Sequence, residues 1–202
     1  LRIMDIQDKL KADIAIPLDY PFMPGMSLKE MRTRWEKTIQ NTRLWGEQAT
    51  RRKKIMPVVH AIGKKNLEET VRIMSDMPGL SGLIGVGTII LPGMRFLGFL
   101  GDRQPRIDLI ETILMTMKYV KEYGLRIHVT GFGSSPLMIH LAVYMGIDSI
   151  DSSGYRRKAA YGKVLVPDTG ERYFGNGSAK FGLTRMSPSE RRFLEGRCNC
   201  PV

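Results

Sequence analysis

Short apolar runs with strand character and longer stretches with helical spacing alternate along the chain. Ile3, Ile6 and Leu10 recur at helical spacing among charges and predict an opening helix. Asp13-Ile14-Ala15-Ile16-Pro17-Leu18 then switches to alternation. It is too short for a helix and rich in β-branched side chains, so it predicts a buried strand with Asp19 just past its C-terminal end. Ser27 followed by Glu30 forms a capping-box pattern, and Leu28, Met31, Trp35 and Ile39 mark the inward face of a long helix ending near Thr50. Ile55 to His60 predicts a second strand that presents His60 at its far end, and a helix follows from about Asn66 to Met77.

Gly82 to Ile89 predicts a third strand, so rich in glycine that backbone there is expected to approach something closely. Leu91 to Arg106 carries Gly93, Gly98, Gly101, Pro92 and Pro105 and predicts a long loop. Ile107, Ile110, Leu114, Met117 and Val120 give a helical stripe to Tyr123, stopped by Gly124. A strand from Leu125 to Thr130 runs into Gly131-Phe132-Gly133. Ser134 is expected to cap a helix with Leu137, Met138, Leu141 and Met145 inward, closed by Gly146. Ser149 to Ser153 predicts the next strand end. Past Tyr155, Lys163-Val164-Leu165-Val166 and Arg172-Tyr173-Phe174 flank Asp168-Thr169-Gly170 as a hairpin.

Strands and helices joined by short connections imply parallel strands and an α/β architecture, either a doubly wound sheet or a closed (β/α) barrel. A full barrel takes about 250 residues. Five strands in 202 residues therefore suit most of a barrel lacking its first units. In both arrangements the site forms where strands end, which selects Asp19, His60, Gly85 to Thr88, Thr130 to Gly133, and Asp151. The chain begins on Leu1 and stops at Cys200-Pro201-Val202, so it is read as a piece of a longer protein.

Charge narrows the partner. Lys and Arg number 31 against 20 Asp and Glu, a formal charge of +11 that favours a polyanion, with nucleic acid the first candidate. An apolar share of 43% excludes global disorder. The absence of a bilayer-length apolar run and of a signal segment makes a cytoplasmic protein the expectation. Cys198 and Cys200 are too few and too close for a disulfide framework.

Asp19 and Asp151 each follow an apolar run that would fix the carboxylate rigidly. Such groups attack or bind polar substrates, or else cap the following turn. His60 and His128 read as bases or as hydrogen-bonded core residues. Gly131-Phe132-Gly133 resembles part of a phosphate loop without the last glycine of a dinucleotide fingerprint, and equally leaves room for a flat base. Cys198-Asn199-Cys200 offers two thiolates toward a zinc that needs four ligands. Arg51 to Lys54 and Arg156 to Lys158 are solvated faces or phosphate contacts.

Taken together, several of these segments resemble the tRNA-guanine transglycosylases, and more closely their archaeosine-type branch. Ala12 to Pro21 is similar to the family strand whose aspartate recognises the base, and Ile84-Gly85-Val86-Gly87 to its glycine-bearing pocket strand. His128 to Gly133, Leu141-Ala142-Val143 and Gly146 to Ser152 resemble the segment ending in the catalytic aspartate. Cys198 to Val202 resembles the start of the zinc motif. The order matches through nearly the whole chain.

The resemblance implies a (β/α)8 barrel, incomplete here, over residues 1–155, with 156–202 forming the hairpin and the basic segment that leads to a zinc motif cut short. It implies Asp151 as nucleophile, attacking the anomeric carbon of a guanosine to form a covalent glycosyl intermediate that a 7-deazaguanine base such as 7-cyano-7-deazaguanine then resolves. Asp19 and His60, with Gly85, Val86, Gly87, Thr130 and Gly131, would bind the flipped-out base. Arg156, Arg157 and Lys158 would hold phosphates, and Cys198 and Cys200 a structural zinc. The implied substrate is tRNA, with DNA the alternative, and a homodimer is compatible. His60 stands where the family commonly has glutamine. The family's general-base aspartate, which lies before the first strand here, has no counterpart in this chain. Two readings compete: a nucleic-acid-binding relative without chemistry, and a barrel enzyme acting on a small phosphorylated metabolite.

Overall fold

The computed structural model describes residues 2–23, 25–48, 54–90, 103–133, 135–166, 170–174 and 184–197. The chain divides into two compact units, one of residues 1–130 with 147–149, the other of 131–146 with 150–202.

The first unit alternates helices and strands: α1 (Arg2–Lys9), β1 (Ile14–Ala15), α2 (Leu28–Gln48), β2 (Lys54–Ile55), β3 (Val58–Ile62), α3 (Lys64–Ser75), β4 (Leu83–Ile90), α4 (Arg103–Glu122) and β5 (Arg126–Val129). The strand β6 (Ser149–Ile150) begins on its last residue. β1 pairs with β2, β3 with β4, and β4 with β5, all parallel. The larger sheet has the order β3-β4-β5-β6. Parallel strands with intervening helices make this an α/β fold, as the periodicity predicts.

Several expected elements are displaced, each for a local reason. The strand over 13–18 contracts to Ile14–Ala15, because Pro17 has no N–H to extend a ladder and because Ile14, Ile16 and Leu18 are exposed while Ala15 is buried. The Ile55–His60 strand breaks at Met56-Pro57 into β2 and β3, which puts His60 in the middle of β3 rather than at its end. Ser27 and Glu30 do form the capping box: the Glu30 carboxylate accepts from the Ser27 amide, and the Ser27 hydroxyl accepts from the Glu30 amide. The expected inward face of α2 is met in part: Ile39 packs on the core of this unit and Trp35 Nε1 donates to Thr70 Oγ1. Leu28 is 70% exposed, whereas Thr38, Thr42, Trp45 and Gly46 are buried. The two threonines tolerate burial because each hydroxyl donates to the carbonyl four residues back, Thr38 to Arg34 and Thr42 to Thr38.

Trp45 joins Ala15, Ile55 and Met77 in one cluster, with Met4, Ile39 and Ile73 packed against it. Gly46 is required there, since a Cβ would lie 2.4 Å from the Pro78 carbonyl oxygen. Helix α4 starts at Arg103, so residues 103–106 are helical, with Pro105 tolerated in the first turn. Residues 91–102 of the expected loop lie outside the described residues. Along α4 the buried face carries Thr112, Ile113, Thr116, Met117, Tyr119 and Val120, and Leu114 is exposed.

The second unit contains α5 (Pro136–Met145), α6 (Gly154–Ala160), β7 (Lys163–Val166), β8 (Gly170–Tyr173) and α7 (Pro188–Glu195). Ser135, not Ser134, caps α5: its hydroxyl accepts from the Met138 amide and Pro136 opens the first turn. Ser134 lies outside the described residues. Leu137, expected inward, is exposed. Gly146 adopts the left-handed conformation that ends the helix. β7 and β8 form the expected antiparallel hairpin, Lys163 opposite Tyr173 and Val166 opposite Gly170.

Candidate active site

In the first unit Asp19 follows β1 on a segment tied down from both sides. The Gln7 side-chain amide both donates to the Ile16 carbonyl and accepts from the Ile16 amide, at 3.0 and 2.9 Å. The Asn41 side chain donates to the Leu18 carbonyl, Thr38 Oγ1 accepts from the Tyr20 amide, and Arg34 donates to the Pro21 carbonyl, each at 2.9 Å. Phe22 is buried and anchors the segment's end. Asp19 thus leaves a backbone whose neighbouring polar groups are already fixed.

Its carboxylate meets a buried imidazole. His60 Nε2 lies 2.8 Å from Asp19 Oδ2, with His60 at 1% side-chain exposure and Asp19 at 33%. The Phe22 ring stands against the His60 ring, centroids 5.6 Å apart. The bond from His60 holds the Asp19 carboxyl below its ordinary value, against the opposing effect of burial. An ionised carboxylate only accepts, so Nε2 carries the proton and donates.

The pocket strand of the sequence reading lies beside this pair. Gly85 and Val86 pair with Val58 and Val59. A Cβ on Gly87 would fall 2.4 Å from His60 Cε1 and 2.6 Å from its Nδ1. The close approach expected of this glycine-rich strand is therefore made by the His60 ring. Thr130 Oγ1 donates to the Val86 carbonyl at 2.9 Å, which ties the end of β5 to β4. At the opposite end of β5, Asp148 accepts from the Ile127 amide, and His128 Nδ1 lies 3.0 Å from Ser149 Oγ. His128 is accordingly a hydrogen-bonded strand residue.

In the second unit, Asp151 Oδ1 accepts from the Gly131 amide at 2.7 Å, while the Asp151 side chain reaches solvent. Gly131 has φ +71°, the left-handed conformation in which glycine is at ease, and this turn aims its N–H. Ser152 Oγ accepts from the Gly154 amide. Gly133 has Ile150 and Ser152 side-chain atoms 3.3 Å from where its Cβ would sit, so this turn is also close-fitted. The sequence thus contains two carboxylates held by different devices: Asp19 by a buried imidazole, Asp151 by a backbone N–H.

Of the expected phosphate contacts, Arg156 and Arg157 are exposed on α6, whereas the Lys158 ammonium is paired with Glu171 of β8. Cys198 and Cys200 lie outside the described residues. They are the chain's two cysteines. Among the described residues no group of three or more His, Cys, Asp or Glu is placed to hold a metal. Gln7, Phe22, Thr38 and Asn41, which fix the Asp19 segment, escape the sequence reading. Their one signal is a polar residue on an inward helix face, as with Thr38.

Against this geometry the comparison with known families is informative. The sequence pattern of the Queuine tRNA-ribosyltransferase family matches residues 1–202. The chain belongs to this family. A comparison with curated proteins finds no match. Membership of the Queuine tRNA-ribosyltransferase family makes the chain a transferase and agrees with the α/β fold described above. Among the described residues no helix is long and apolar enough to cross a membrane.

Proposed function

We propose that this member of the Queuine tRNA-ribosyltransferase family exchanges a guanine in tRNA for a 7-deazaguanine base, with Asp151 as nucleophile and Asp19 as the group that recognises the base. The observation that carries the reading is the family match across residues 1–202, which includes both carboxylates. A carboxylate oxygen of Asp151 attacks C1′ of the target guanosine. The C1′–N9 bond breaks, and guanine leaves with the bond pair and takes up a proton. N9 of the incoming base then attacks C1′, releases the Asp151 carboxylate and loses its proton, so configuration is retained through two inversions. The Gly131 N–H, bonded to Oδ1, fixes the plane of the attacking group.

Asp19 accepts N–H donors from the guanine edge. A site built this way discriminates against bases lacking those donors, because an acceptor that the bound base shields from water is otherwise left unmet. Gly85, Val86, Gly87, Thr130 and Gly131 line the slot for the base, and the target nucleotide is flipped out to enter it. Arg156 and Arg157 meet flanking phosphates, and Lys158 supports them from its pair with Glu171. Closure of the strands into a (β/α)8 barrel, a homodimer, a cytoplasmic site of action, and a structural zinc taking two ligands from Cys198 and Cys200 belong to the same proposal. The zinc takes no part in the chemistry.

The test is exchange of radiolabelled guanine, run in parallel on tRNA and on double-stranded DNA. Exchange into tRNA is the expected result. Exchange into DNA alone would transfer the same chemistry to the other polyanion. Salt-dependent binding of both without exchange would contradict the catalytic reading and favour a binding protein.

A further inference from the structure

Strand β4 carries an irregularity opposite His60. The register runs Val59 to Val86 and then Ala61 to Ile89, so two steps on β3 face three on β4. The extra residue falls at Gly87-Thr88, a bulge that bends the strand carrying it. Here the facing side chain is His60, whose ring occupies the space a Cβ on Gly87 would need. Phe22 closes another side of the ring and Val58 lies within the same glycine-made gap. The ring therefore has very little rotational freedom, and its Nε2 points at Asp19 Oδ2.

We propose that His60 is a positioning residue: the β4 bulge at Gly87 fixes its ring, and the ring fixes the Asp19 carboxylate in the orientation that receives the N–H edge of a guanine-like base. This rests on the reading of Asp19 as the recognition group. His60 is almost wholly buried, so it acts through Asp19 and not by touching the base. With Oδ2 engaged by Nε2–H and the carboxylate also accepting from the Asp19 amide, the base meets the lone pairs that remain. Two adjacent donors, such as a ring N–H and the neighbouring amino group, match that edge. The substrate class selected is a purine or deazapurine carrying both, and a base lacking the amino group meets an unmatched acceptor.

Four forms of the full chain are compared: wild type, His60→Gln, His60→Phe and Gly87→Ala. One readout needs no activity: carbon-13 NMR titration of the Asp19 carboxyl. Its midpoint lies below the ordinary carboxylate value in the wild type, rises in His60→Phe, rises in Gly87→Ala where the ring is displaced, and returns most of the way in His60→Gln, whose amide still donates. The other readout is guanine exchange against pH. Losing a charge-assisted hydrogen bond raises KM for guanine by about tenfold or more in His60→Phe, with a smaller change in kcat. The acid side of the profile moves to higher pH with the Asp19 midpoint.

An Asp19 midpoint that is the same in all four proteins would overturn the proposal. So would equal KM increases in His60→Gln and His60→Phe, because a merely structural ring would not distinguish a donor from a phenyl group. If the midpoint moves but no protein exchanges guanine, the pairing stands and the reading of Asp19 as a base-recognition group falls. If exchange is present and the midpoint does not move, the reaction stands and the role of His60 falls.

Discussion

Alanine at Gly87 separates a glycine needed for space from one that is merely present. The added Cβ would lie 2.4 Å from His60 Cε1, 2.6 Å from Nδ1 and 2.8 Å from Val58 Cγ1. Ordinary carbon contacts lie at about 3.5–4.0 Å, so the overlap is about 1 Å with a ring that is 1% exposed. Overpacking of a close-fitted core costs about 1–3 kcal/mol. Glycine to alanine in a strand returns about 0.5–1 kcal/mol through the unfolded chain. Gly87→Ala should therefore lose up to about 2.5 kcal/mol net, a fall in Tm of up to about 10 °C at this chain length. Gly85 is the comparator on the same strand. Its nearest neighbour would be Val58 Cγ2 at 3.2 Å, a milder overlap than at Gly87, so Gly85→Ala should cost less than Gly87→Ala. Thermal and urea unfolding of both variants, repeated in a His60→Ala background, complete the test. Without the ring, the cost of Gly87→Ala should shrink by about 1 kcal/mol or more. Equal costs at Gly85 and Gly87, or a Gly87 cost unchanged without the imidazole, would refute the claim that the glycine exists for His60.

Other expectations follow from the same geometry. Thr38→Val keeps shape but strips the acceptor from the Tyr20 amide, so it should cost about 1–3 kcal/mol and speed hydrogen exchange at Tyr20, whereas Thr42→Val, whose hydroxyl serves its own helix, should cost less. Glu190 is held down to about 2 from 4.5 by hydrogen bonds from the Ser187 amide and hydroxyl, with Arg172 adding to them. Because the folded value is the lower one, its contribution to α7 is complete above about pH 4.5 and is lost as the pH falls toward 2. Ser187→Ala should move that carboxyl titration upward in an NMR experiment; an unmoved midpoint would exclude the Ser187 hydroxyl as a cause, since the variant keeps the amide bond.

The alternation of strand and helix was legible because periods of 2 and 3.6 are written into the apolar positions, and it survives in every parallel pairing from β1 to β5. The ends of strands were less legible. Pro17 and Pro57 cut runs that composition alone would extend. The inward face of α2 was legible only in part: Ile39 reaches the core and Trp35 reaches Thr70 as expected, but Thr38 and Thr42 bury hydroxyls on their own helix, and an apolar count assigns such residues to solvent. Asp19, His60 and Gly87 were each singled out in the sequence, but as separate members of a base pocket. Their mutual contact depends on the register of β3 against β4 and on the path after β1, neither of which a local pattern encodes. The Asp151 to Gly131 bond spans 20 residues and was hidden for the same reason.

The most direct test of the account is covalent trapping on Asp151. The wild-type full-length protein incubated with guanosine-containing tRNA should yield a denaturant-resistant protein–nucleic acid adduct that added guanine discharges. Asp151→Asn, which keeps an acceptor for the Gly131 amide but removes the nucleophile, should form none. An adduct that persists in Asp151→Asn would contradict the assignment of Asp151 and with it the proposed reaction.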